Sequence, residues 1–327
     1  MRITTRLTKL LGVTHPVMLA PMDVVADARL TAAVSASGGF GILGGGYGDE
    51  PWLRRQLDLL ETLNAPYGVG FITWSMAKQR KLLDLALERR PKAIMLSFGD
   101  PHPFVGPIKQ AGALAICQVQ SIRMANDAMA AGADILVAQG TEAGGHGASR
   151  GTVTLVPEIV DAVRGDTAVV AAGGIADGRG LAAALMLGAS GVLMGTRFYA
   201  TAEAAGADAA KRRICTASGD ETARSIVFDI SRRNVWPGAF TGRCLRNAHL
   251  ERWHGRELEL LQRVDEESTK YANARTEGNF DIAAVIAGES AGLVDKILSA
   301  REVIERTVRD ASGALAAAQR QLQASDA

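Results

Sequence analysis

The sequence predicts an α/β protein, a (β/α)8 barrel of the TIM type with a second, smaller helical domain after the last barrel strand. Three observations lead there. Eight short apolar runs alternate with segments of helical spacing between residues 16 and 194. The runs are continuously apolar, as expected of parallel strands buried on both faces. After Phe198 the alternation stops and the chain turns polar and charged.

The apolar runs fall at 16–22, 40–43, 67–73, 93–98, 114–119, 135–138, 168–172 and 191–194. Helical spacing marks 28–37, 52–63, 77–90, 122–131, 156–163 and 179–187. Short strands alternating with longer helices indicate βα units and a parallel sheet. Eight evenly spaced units favour a closed barrel over an open doubly wound sheet. Residues 1–208 are therefore assigned to the barrel.

Residues 209–282 are read as a small helical domain on the substrate side, without strand-like runs. Helices are expected at 221–227 and 245–263, with Trp236-Pro237-Gly238 as a break between them. Leu250, Trp253, Leu258 and Leu261 are spaced as one apolar helix face. Residues 283–327 return to the barrel, ending in a long helix over 299–323.

Composition narrows the class. The 327-residue chain is 47% hydrophobic and 22% charged with a formal net charge of +1, an ordinary globular profile. That charge gives no reason to expect nucleic acid or an acidic membrane as partner. Cys117, Cys215 and Cys244 are an odd number without a close pair, which fits a reducing compartment and disfavours a disulfide framework or a zinc site. The N-terminus is basic, but its apolar run is too short for a signal peptide. No window reaches the roughly 18 apolar residues of a membrane span. A cytoplasmic enzyme without a metal is expected.

Three glycine-rich strand ends carry the chemistry. The first is Gln139-Gly140-Thr141-Glu142-Ala143-Gly144-Gly145-His146-Gly147. Glycine lets the main chain approach a flat ligand, and an imidazole suits proton transfer near neutrality. His146 is the candidate base; the competing reading is a loop histidine that caps a helix. The second is Gly173-Gly174-Ile175-Ala176-Asp177-Gly178-Arg179-Gly180, and the third is Met194-Gly195-Thr196-Arg197-Phe198. Loops after barrel strands 7 and 8 form the usual phosphate site. Gly173, Gly174, Gly195 and Thr196 are the candidates there. Asp177 reads as an N-cap. Arg197 is open between a phosphate contact and a carboxylate pair.

Other strand ends add weaker signals. The first strand ends Ala20-Pro21-Met22-Asp23, and Met22 is suited to lie against an aromatic ring. Gln118 and Gln139 end the fifth and sixth strands on the expected catalytic face. Gly44-Gly45-Gly46 reads as a mouth loop, with Tyr47 and Trp74 placed to exclude water. Gly39 to Gly44 matches the dinucleotide fingerprint in spacing, but it follows a helix and runs through a strand, the reverse of that motif's context. Nucleophile-elbow, Walker and zinc-protease motifs do not occur, which disfavours hydrolase, nucleotidase and zinc-enzyme readings.

Taken in order, Ala20-Pro21-Met22, Ala33-Val34-Ser35 through Gly38-Gly39, Glu142 to His146, Gly173 to Arg179 and Met194 to Phe198 resemble the nitronate monooxygenase family, formerly called 2-nitropropane dioxygenases. The resemblance covers residues 12–205 and, more loosely, 287–293. It implies an FMN-binding barrel, with the phosphate at Gly173, Gly174, Gly195 and Thr196. The isoalloxazine would then lie near Ala20, Pro21 and Met22, with Gln118, Gln139, Gly140 and Gly145 as further contacts. It also implies oxidation of alkyl nitronates by O2 to a carbonyl compound and nitrite, nitroalkanes being a further substrate class. His146, in the catalytic position, would orient the nitro group or take a proton from carbon. Asp23-Val24-Val25-Ala26-Asp27 departs from the small residues found there in the best-known members. The stretch from Gly41 to Gly46 is similar to FMN-dependent enoyl-ACP reductases, so NAD(P)H reduction of a quinone or enoyl thioester is the alternative. A non-redox phosphate-binding isomerase is a third reading, and whether the chain pairs as a homodimer stays open.

Overall fold

In a computed structural model, residues 2–163, 167–238 and 240–323 are described. The strands are β1 (Val17–Leu19), β2 (Gly41–Gly44), β3 (Tyr67–Ile72), β4 (Ala93–Ser97), β5 (Leu114–Val119), β6 (Ile135–Gln139), β7 (Gly145–Gly147), β8 (Ala168–Ala172), β9 (Val192–Met194), β10 (Thr222–Ser225) and β11 (Thr241–Leu245). Eight of them form one parallel sheet in the order β1-β9-β8-β6-β5-β4-β3-β2. A parallel bridge between Met18 and Phe40 joins β1 to β2 and closes the barrel.

The helices between strands carry local signals for their starts. Asp27 caps Ala28–Ala36 by accepting from the Leu30 N–H at 2.9 Å, and Ser121 caps Ile122–Ala131 in the same way. The helix expected over 77–90 forms as the shorter Lys81–Glu88, preceded by a separate short helix, Thr73–Met76. A further helix, His102–Gln110, links β4 to β5.

Two apolar layers result. Met18, Phe40, Ile42, Met95, Ile116, Ile135, Val137 and Val170 fill the barrel interior. The same cluster includes Leu7 and Leu11 of the helix Arg6–Leu11, which plugs the N-terminal end of the barrel. The outward-facing strand residues pack under the surrounding helices. The last helix, Ala300–Gln323, buries Val303, Ile304, Val308 and Ala311 and packs against Gly178–Met186.

The segment after β9 departs from expectation. Helices predominate, but β10 and β11 pair antiparallel with each other and with β7. The 221–227 helix is therefore corrected: its centre is β10, and Leu245 ends a strand rather than opening a helix. Thr222, Arg224 and Arg243 give these short strands no apolar alternation, and their partners lie far away in sequence. The expected helix face also breaks. Leu250 and Trp253 are buried, but Leu258 and Leu261 are 78% and 49% exposed. Gly255, at φ 79°, ends the helix Ala248–Trp253, so Glu257–Gln262 starts with a new phase. Among the described residues, no helix is long and apolar enough to cross a membrane, and no group of three acidic, His or Cys side chains could hold a metal.

Candidate active site

A cavity of about 380 Å³ opens at the C-terminal ends of the barrel strands. Ala20, Pro21, Met22, Gln118, Gln139, Gly145, His146, Gly173, Gly174, Gly195 and Thr196 all line it. Of the candidate residues only Gly140 does not. It lies behind the wall, donating its N–H to the Ala172 carbonyl at 2.9 Å.

The inner wall is held by amides. Gln118 Nε2 and Gln120 Nε2 each donate to Gln139 Oε1 at 2.8 Å, and Ser97 Oγ donates to Gln118 Oε1 at 3.3 Å. These interlocking bonds fix Gln118 and Gln139 without using the Gln139 NH2 group, which remains to serve a ligand.

The loop from Thr141 to Gly147 is pinned from outside the barrel. Arg224, on β10, donates to the carbonyls of Thr141, Ala143, Gly145, Gly147 and Thr241. Burial, with Arg243 beside it, brings its guanidinium down to about 10, still well above neutrality. Glu142 turns the other way and accepts from the Thr152 N–H and hydroxyl, both at 2.9 Å. The loop then continues as β7, with His146 opposite Gly242 of β11.

His146 is thereby presented to the cavity. Its Nε2 lies 3.0 and 3.1 Å from the two oxygens of Asp229, on the helix Val227–Ser231. An ionised carboxylate can only accept, so Nε2 carries the proton and Nδ1 is the basic nitrogen. One face of the imidazole stacks on Trp236, with ring centroids 3.4 Å apart and 7° between planes. Trp236 also meets Tyr47, Trp74 and Phe98 edge-on and donates its Nε1–H to the Tyr47 hydroxyl at 3.1 Å. Tyr47 lines the cavity; Trp74 supports the aromatic group from behind.

Beside the start of the same loop lies a bare main-chain shelf. Gly173 and Gly174 have φ of 102° and 72°, conformations that side chains resist. Thr196 accepts from the Gly288 N–H at 2.9 Å, leaving its hydroxyl proton to donate. Asp177 is the N-cap it was read as, accepting from the Arg179 and Gly180 N–H groups. Arg197 takes neither of its expected roles. It is buried and donates to the carbonyls of Ala200 and Lys296, at 2.6 and 2.7 Å.

Asp229, Arg224, Arg232, Tyr271 and Arg275 escaped sequence reasoning, and Trp236 entered it only as part of a break. They lie in the segment read as helical, where no motif surrounds them. The one available signal was the conjunction of Asp229, Arg232 and Trp236 within eight residues.

A family model described as nitronate monooxygenase matches residues 4–74 and 71–310. A (3aS,4S,5R,7aS)-5-hydroxy-7a-methyl-1-oxo-octahydro-1H-indene-4-carboxyl-CoA dehydrogenase from Mycobacterium tuberculosis is 32% identical, over 95% of this chain and 97% of its own length. A nitronate monooxygenase from Neurospora crassa is 30% identical, over 91% of this chain and 89% of its own. Among solved structures, FabK from Thermotoga maritima superposes with a TM-score of 0.87 at 30% identity, covering 98% of this chain and 99% of its own.

Proposed function

This chain belongs to the nitronate monooxygenase family, and from that premise we propose that it uses FMN to oxidise alkyl nitronates with O2, giving a carbonyl compound and nitrite. The observation that carries the reading is the carboxylate-paired His146 lining one cavity together with the Gly173–Gly174 shelf. The residues fit the cofactor. Gly173, Gly174, Gly195 and Thr196 offer unobstructed backbone and a hydroxyl for a phosphate, as loops after the last two strands of such barrels do. Ala20, Pro21 and Met22 offer an apolar edge to a flat ring, and the Gln139 amide offers donors to its polar side. When bound, FMN supplies the electron-accepting and oxygen-reducing chemistry.

The protein's part is proton handling, orientation and exclusion of water. Nδ1 of His146 takes a proton from the carbon next to the nitro group when a neutral nitroalkane enters. The same imidazole donates to a nitronate oxygen once protonated. Asp229 fixes the ring's tautomer and balances its charge. Trp236 and Tyr47 cover the ring and keep bulk water off that proton.

A second reading is favoured by the 32%-identical carboxyl-CoA dehydrogenase and the FabK likeness. In it the same cavity exchanges hydride between NAD(P)H and a quinone or thioester. An anaerobic spectrum separates the two. Bleaching of the flavin by a nitronate, with nitrite released on admitting air, supports nitronate oxidation. Bleaching by NADH or NADPH alone moves the chain to the reductase reading.

A further inference from the structure

One acidic group in the cavity is left without a task by the chemistry above. Asp23, in the loop that follows β1, is the one carboxylate lining the cavity among the described residues. Among those residues no ion pair within 4 Å and no side-chain hydrogen bond engages it. The backbone around it is firmly set. Val25 donates its N–H to the Asp23 carbonyl at 2.7 Å, closing a three-residue turn around Val24, whose φ of 62° a β-branched residue rarely takes. The turn is tied on both sides, the Ala26 N–H donating to the Met22 carbonyl at 2.9 Å and the Ala205 N–H to the Val25 carbonyl at 3.1 Å. Gly46, at φ 59°, leaves the carboxyl its space, since a Cβ there would collide with Asp23 Oδ1. Burial raises Asp23, and Arg232 and Arg275 pull it back from beyond ion-pair distance. It pairs with neither, so balancing those two charges does not account for its place.

An unpartnered carboxylate facing a cavity calls for a ligand that donates. We propose that Asp23 is a specificity-determining residue, accepting a hydrogen bond from an O–H or N–H group of the substrate, so that the nitro compounds taken bear a hydroxyl or an ammonium group. A plain alkyl chain in its place leaves a half-buried acceptor unpaired, which discriminates more strongly than one methylene more or less. The inference rests on the nitronate reading for the chemistry of the oxidised carbon. The ribityl hydroxyls of FMN are donors of the same kind, and the test separates the two sources.

Pentanoate, 4-hydroxybutanoate and 4-aminobutanoate share a chain length and a planar carboxylate in place of the nitronate, and end in a methyl, a hydroxyl and an ammonium group. Each is titrated calorimetrically into the FMN-loaded protein, where none is turned over. At least one of the two donor-bearing ligands is expected to bind about ten-fold or more tighter than pentanoate, and which one does so identifies the group. Asp23→Leu should abolish that preference and Asp23→Asn should keep part of it for the hydroxyl, with melting temperature reporting that both fold. Donor-bearing ligands that bind no better than pentanoate, or that keep their full preference in Asp23→Leu, would overturn the inference. So would a loss of about ten-fold or more in FMN affinity when flavin-free Asp23→Leu is reconstituted, because Asp23 would then serve the cofactor. An Asp23-dependent preference without nitronate turnover removes the nitronate reading alone.

Discussion

The His146 imidazole and the Trp236 indole lie face to face, 3.4 Å apart at their centroids. This contact joins the glycine-rich loop of the barrel to the segment that follows it. One face of the imidazole is covered, its Nε2 is held by Asp229, and only the Nδ1 side remains open to the cavity. In the proposed reaction the ring is therefore oriented before any ligand arrives, which removes reorientation from the cost of proton transfer.

His146→Asn should retain flavin, because the glycine shelf and strand-end residues are untouched. Turnover of a neutral nitroalkane should fall by about 10² or more, the usual scale for a lost acid–base group. Steady-state kinetics on protein of matched flavin content checks this; unchanged turnover would remove His146 from the chemistry.

Asp229→Asn tests a positioning residue and should divide two substrates. A nitroalkane requires proton abstraction, whereas a preformed nitronate does not. Loss is expected to be at least about ten-fold larger on the nitroalkane, since the variant lets Nε2 accept and misplaces the basic nitrogen. Equal losses on both would mean that Asp229 serves only the fold.

Arg224→Met strips its donors from five carbonyls at once. A destabilisation of about 3 kcal/mol is expected, as partly buried carbonyls lose charge-assisted bonds. In a chain of this size that corresponds to a drop of several degrees in melting temperature, about 2–4 °C per kcal/mol. Scanning calorimetry measures it. An unchanged melting temperature together with full activity would show that the loop holds without its clamp.

Acid sensitivity follows from His249. It is buried, its Nε2 lies 2.8 Å from Ser231 Oγ, and burial lowers it from its usual 6.5 despite Glu267 nearby. A histidine with a depressed folded-state value binds protons more weakly folded than unfolded, so stability is full above pH 6.5 and declines below it. The slope for one such group approaches about 1.4 kcal/mol per pH unit. Chemical denaturation between pH 7.5 and 5.5 should show the decline. His249→Gln should flatten it in part, since His15 is lowered by burial as well. An identical slope in the variant would exonerate His249.

The barrel was legible because buried parallel strands write themselves as apolar runs, and because the glycines at the ends of β8 and β9 meet a main-chain need that few other residues can. The 139–147 stretch was legible for the same reason. What surrounds it was not. Arg224 acts through backbone carbonyls, which carry no side-chain signature. Asp229 and Trp236 reach His146 from 83 and 90 positions away, at contacts created only by folding. The strands β10 and β11 are too short and too polar to alternate, so Glu221 to Val227 read as a helix. Leu258 and Leu261 misled for a simpler reason: Gly255 resets the helical phase that a periodicity count assumes is continuous.

Because His146 sits on a strand whose partner comes from beyond residue 240, the two parts of this chain cannot be exchanged separately. A chimera cut near residue 208, joining this barrel to a relative's later half, would keep the glycine shelf and could still fold. Its base would be aligned only if the incoming half also brought matching counterparts of Asp229, Trp236 and Gly242. Natural recombination and laboratory shuffling at that seam should therefore yield coloured but idle proteins, and variation on the two sides should be inherited together.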